Sequence, residues 1–165
     1  MRNPYEVRAE KFIHQIYGYI HGCRTWRQFE IAVSKFNMDY GRKVRFAHGL
    51  TRVCFITSDY VVKYNFGSDR NLVTFGTNAD EIATYKLAEE ANFSYLFAKP
   101  TLVSYMATEF CIMPRVYGIG RYDEDANEFL TEEENEWVTE HVGDLHNHNY
   151  GWKGGRPLIF DYACN

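Results

Sequence analysis

The sequence predicts an α+β fold: two helices first, then a five-stranded antiparallel layer, then a shorter helix-and-hairpin part. Three observations predict it. Apolar residues recur at helical spacing from Asn3 to about Gly41. From Val44 the period drops to two, in short runs broken by turn residues, with two further such runs at 97–104 and 108–116. After Thr131 a last helical stretch leads to Gly154-Gly155, set between two short strand-like runs. The 165 residues suit one domain or two small lobes. The natural divisions are a helical extension over 1–43, a strand-rich lobe over 44–116 and a reduced second lobe over 117–165.

Hydrophobic residues at 45% and charged ones at 24% are ordinary for a globular chain. The aromatic share of 17% implies large buried side chains and names no ligand. A net charge of −4 argues against a general nucleic-acid surface and leaves room for a local basic patch. Cys23, Cys54, Cys111 and Cys164 form no CxxC pair, so reduced thiols in a cytosolic protein are expected. No apolar run approaches the roughly 18 residues a bilayer requires, and the start lacks a signal-peptide core. The expected setting is the cytoplasm, with no membrane.

In the first helix Asn3 caps, Pro4 suits the first turn and Glu6 answers the cap. Ala9, Phe12, Ile13, Ile16, Tyr17 and Ile20 make its apolar stripe. Thr25 and Gln28 form a second capping box, followed by Trp26, Phe29, Val33 and Phe36 as the stripe, with Gly41 past the end. Residues 44–48, 51–57 and 60–66 read as strands, turned at Gly49 and at Ser58-Asp59. Asn78 and Glu81 form a capping box for a helix that runs to about Ala91. Residues 122–127 are acidic and loop-like. Thr131 caps the last helix, where Glu132, Glu133 and Glu134 lie at its positive end as a solvated charge run. Trp137 and Val138 are its inward residues.

The chemistry concentrates near the end. Val142-Gly143-Asp144-Leu145-His146-Asn147-His148-Asn149 is followed twelve residues later by Asp161, after Leu158-Ile159-Phe160. An Asp in a tight loop, an Asn five residues on, a hairpin and a second Asp resemble the catalytic loop and metal-binding Asp of the protein-kinase-like fold, H-R-D-L-x-x-x-N then D-F-G. The Asp-Leu-His form is more similar to aminoglycoside and choline phosphotransferases and to small bacteriophage kinases. Val142 stands where the motif's leading His would be, and His146 where protein-serine kinases carry Lys.

The resemblance implies a kinase-like small lobe over 44–116, an ATP and Mg²⁺ requirement, and roles for particular residues. Asp144 would be the catalytic base, and Asn149 and Asp161 would hold Mg²⁺ through oxygen. Lys63 resembles the Lys of the V-A-I-K strand that reaches the phosphates, and Glu81 would pair with it. Taken alone, Lys63 reads more readily as an outward Lys on an edge strand, the order of the later motif reversing that preference, and Glu81 also reads as a capping residue. Gly49 is the single glycine available to a phosphate-covering loop. It reads as readily as a hairpin turn, since G-x-G-x-x-G is absent and Gly118-Ile119-Gly120 lies too late. Met113 and Arg115 fall where the family has the hinge that receives adenine, although Pro114 removes one N–H donor.

A zinc site from His141, His146, His148 and Cys164 is a weaker reading, because the donor spacing is irregular. A Cys–His nucleophile lacks local context for a thiolate. Two functions remain open. One is an ATP–Mg²⁺ phosphotransferase acting on a protein or on itself. The other is a kinase-fold binding or inhibitor module that engages another protein, with or without nucleotide. Retention of the five polar positions favours the first. The sequence ends four residues after Asp161, without the activation segment and helical platform that receive a peptide, which favours the second.

Overall fold

The computed structural model describes residues 3–49, 52–65, 76–117, 126–142 and 148–161. Asp144, His146, Cys164 and the Gly118–Gly120 stretch lie outside them. The chain divides into two compact units, one of residues 1–73 and 101–115, the other of residues 74–100 and 116–165.

The first unit opens with α1 (Pro4–Ile20) and α2 (Trp26–Tyr40). Both capping boxes form: the Asn3 side chain accepts from Tyr5 N–H while Glu6 answers the Asn3 N–H, and Thr25 exchanges with Gln28 in the same way. Gly41, at φ 60°, closes α2 in the left-handed region. Five antiparallel strands follow: β1 (Arg45–His48), β2 (Arg52–Ile56), β3 (Tyr60–Asn65), β4 (Thr101–Tyr105) and β5 (Thr108–Pro114), ordered β1-β2-β3-β5-β4.

Successive strand residues point to opposite faces, and here the two faces differ in use. Val53, Phe55, Tyr60, Val62, Phe110 and Ile112 join the buried stripes of α1 and α2 in one core. Phe12 sits in its middle, with ring centroids 5.4 Å from Phe36, 6.1 Å from Phe55 and 6.0 Å from Tyr60. The N-terminal helices therefore cover one face of the sheet. The other face carries Cys54, Lys63 and Cys111 in one cross-strand row.

The second unit contains α3 (Asn78–Glu90), α4 (Glu132–Val142), β6 (Tyr150–Lys153), β7 (Arg156–Ile159) and two short 3-10 turns, Ser94–Leu96 and Ala126–Phe129. The strand expected over 97–104 begins only at Thr101. Phe97 instead bridges Ile159 in parallel, and Ala98 N–H donates to the Ile159 carbonyl at 2.7 Å. That local pairing takes the backbone that the sheet would have used. The start of α3 also shifts. Thr77 is its cap and Asp80 the answering residue, so Asn78 and Glu81 are not the capping box.

Gly154 and Gly155, at φ 62° and 77°, make the two-residue turn between β6 and β7. Two positive φ values suit a type I′ hairpin. Met106 and Ala107 make the corresponding turn between β4 and β5 at φ 50° and 60°, where side chains disfavour that conformation.

Glu134 departs from the solvated charge run. It is 9% exposed and ties three segments together. The Tyr95 hydroxyl donates to its Oε1 at 2.6 Å, Thr131 N–H donates to its Oε2 at 2.7 Å, and Arg156 lies over the Tyr95 ring at 5.0 Å. Burial pushes the Glu134 carboxyl up, but the donors from Tyr95 and Thr131 and the Arg156 charge outweigh it and leave the value lowered. A lowered carboxyl contributes stability above the ordinary carboxylate value and loses it as pH falls through the folded value. Urea midpoints measured from about pH 6 to pH 3 should therefore fall more steeply for wild type than for Glu134→Gln. Parallel curves would remove Glu134 from the acid response.

Candidate functional site

In the first unit, Lys63 is the centre of the candidate site. β3 lies between β2 and β5, so Lys63 is on an inner strand and is only 4% exposed. This excludes the outward edge-strand reading. A buried ammonium requires compensation, and Lys63 has interaction partners. Cys54 and Cys111 stand directly opposite it on either side. Nothing in the sequence pattern marked that row, because register is a long-range property.

Met113 is buried and, through its pairing with Val61, shares the Lys63 face. Arg115 N–H donates to the Asp59 carbonyl at 3.0 Å, and its guanidinium donates to the Thr57 carbonyl. Arg115 therefore braces the β2–β3 turn. Gly49 is exposed, and its N–H donates to the Arg52 carbonyl at 2.9 Å, closing the β1–β2 turn. A Cβ added there would meet nothing within 4 Å.

In the second unit, the hairpin brings together the two residues proposed from the motif as oxygen donors. Asn149 immediately precedes β6 and Asp161 follows β7 by two residues. The Asn149 carbonyl accepts from Phe160 N–H at 2.8 Å and from Asp161 N–H at 3.3 Å. Asn149 is 6% exposed, and Asp161 is half-buried. Trp152 N–H donates to the Tyr117 carbonyl at 2.8 Å, which holds the outer side of the same hairpin. Glu81, on α3, is fully buried and has interaction partners. Burial of an acid is costly unless it is paired. With Thr77 and Asp80 capping α3, Glu81 has a reason to be there other than the helix end.

Of the histidines and cysteine weighed for zinc, His146 and Cys164 lie outside the described residues. His141 stacks on Trp137 at 4.2 Å, and its Nδ1 is 2.9 Å from the Trp137 carbonyl. Among the described residues no cluster of three or more His, Cys, Asp or Glu has metal-holding geometry. Among them, too, no helix is long and apolar enough to cross a membrane.

A lysine on the third strand, an acid on the helix after it, two more strands, then a helix and an Asn…Asp hairpin occur in this order. That is the element order of a protein-kinase-like fold. No family model and no curated protein matches the chain. Among solved structures it is similar to the bifunctional kinase-methyltransferase WbdD, at 15% identity over 69% of this chain and 30% of that one, with a TM-score of 0.35. It is similar to the choline kinase LicA from Streptococcus pneumoniae at 13% identity, over 82% of this chain and 69% of that one, with a TM-score of 0.42. A third likeness is to APH(2")-IIa in its streptomycin–ATP ternary complex, at 18% identity over 71% and 40% of the two chains, TM-score 0.33. The chain thus spans less than a third of WbdD. These are distant likenesses of fold, and the residues above carry the functional argument.

Proposed function

We propose that this chain is an ATP- and Mg²⁺-dependent phosphotransferase acting on a protein or on itself. The supporting observation is the hairpin base, where Asn149 and Asp161 meet at one backbone carbonyl. Their side chains offer oxygen donors, which suit a hard cation. Bound Mg²⁺ would neutralise charge on the phosphates. Lys63 would bind phosphate oxygens as a buried point charge, and Asp144 would orient the acceptor hydroxyl and take its proton.

Incubation with γ-labelled ATP should label the protein or a component of a cell extract, and Asp144→Ala should reduce labelling by about a hundredfold or more, the usual scale for losing a positioned base. Binding of ATP without any Asp144-dependent labelling would reject the enzyme and favour a kinase-fold module that engages another protein.

A further inference from the structure

A pocket of about 540 Å³ lies among the start of α1, the link from α2 to β1 and the β2–β3 turn. Arg8 and Lys11 line it from α1, Arg42 and Lys43 from the link, and residues 57–60 from the turn. Four cations against the single carboxylate of Asp59 leave a surplus of three positive charges, in a chain whose net charge is −4.

The arrangement is built rather than diffuse. Arg8 Nε donates to Asp59 Oδ2 at 2.9 Å, so the one carboxylate is already engaged. Arg42 lies over the Phe36 ring at 6.0 Å, and the Tyr60 hydroxyl donates to the Arg8 carbonyl at 3.5 Å. The turn is braced from behind by Arg115, through the Thr57 and Asp59 carbonyls. Lys11 and Lys43 are exposed and have no carboxylate within ion-pair reach among the described residues. Gathering like charges into one concavity is unfavourable unless an anion completes it. The volume is that of a small-ligand pocket, for which roughly 300–1,000 Å³ is usual.

We propose that this pocket binds a small ligand through a diphosphate group. A single phosphate, at roughly −1.5 to −2, would leave part of the positive charge unmatched. Two adjacent phosphates spread their charge over a span that cations from three separate segments can reach. Arginine contributes paired donors suited to phosphate oxygens, and lysine contributes mobile point charges. The lining comes from the helix-covered side of the sheet, whereas Lys63 lies on the other face. The site is therefore independent of the nucleotide reading.

The test is calorimetric titration of the full chain with sodium pyrophosphate, without Mg²⁺, in wild type, Lys11→Gln/Lys43→Gln and Lys63→Met. Saturable binding is expected in wild type and in Lys63→Met. The double variant should bind about tenfold more weakly or worse, the scale expected for lost charge-assisted contacts. Both changed lysines are exposed, so the double variant should melt as wild type does. Equal affinity in wild type and the double variant, loss of binding only in Lys63→Met, or sulfate binding as tightly as pyrophosphate would each overturn the proposal. Co-sedimentation with phosphatidylcholine vesicles carrying CDP-diacylglycerol, a lipid whose headgroup contains a diphosphate, separates the sources. Pelleting reversed by pyrophosphate identifies a lipid headgroup, and pyrophosphate binding without pelleting identifies a soluble ligand.

Discussion

Saturating Mg²⁺·ATP is expected to raise the melting temperature of the wild-type chain, and Asp161→Ala to remove most of that rise. A ligand at about a hundred times its dissociation constant stabilises the folded state by about 2.7 kcal/mol. For a chain of this size that corresponds to roughly 5–10 °C. Asp161 is the residue to change because it offers a carboxylate at the hairpin base, and its backbone is already fixed to Asn149. Removing the carboxylate deletes a hard oxygen donor without altering the N–H that holds the hairpin. Identical melting with and without Mg²⁺·ATP would end the nucleotide reading. An undiminished shift in Asp161→Ala would exclude Asp161 from the metal site.

Phe12→Ala should give the largest loss of stability, about 3–5 kcal/mol, the usual cost of deleting a buried aromatic side chain. The ring is fully buried among Phe36 of α2, Phe55 of β2 and Tyr60 of β3. Its loss leaves a cavity at the point where both helices meet the sheet. Val7, on the same helix and 54% exposed, supplies the control. Val7→Ala should change stability by no more than about 0.5 kcal/mol. Equal unfolding midpoints for the two variants would mean that α1 is not seated on the sheet in solution.

The elements that were legible in the sequence are those encoded by neighbours. Asn3 with Glu6 and Thr25 with Gln28 each complete a box within one helical turn, and the structure contains both. The turns at Ser58-Asp59 and Gly154-Gly155 likewise depend on adjacent residues. Ambiguity enters where two local solutions compete. Thr77 with Asp80 and Asn78 with Glu81 both satisfy the same pattern one residue apart, and complete burial of Glu81 selects the first. Met106-Ala107 shows the opposite failure, since a left-handed turn without glycine or asparagine carries no signature. Glu134 read as part of a solvated run because Tyr95, its partner, lies 39 residues away.

The sequence by itself determined that helices precede strands, that Lys63 lies on the third strand, and that Asn149 and Asp161 flank a hairpin. Spacing and capping suffice for such statements because they act over a few residues. Only the tertiary structure decided that α1 and α2 cover the sheet face opposite Lys63, that β3 is an inner strand, and that four cations from α1 and the α2–β1 link share one pocket. Those outcomes depend on cross-strand register and on which apolar faces bury each other, and packing sets both between residues far apart in the chain.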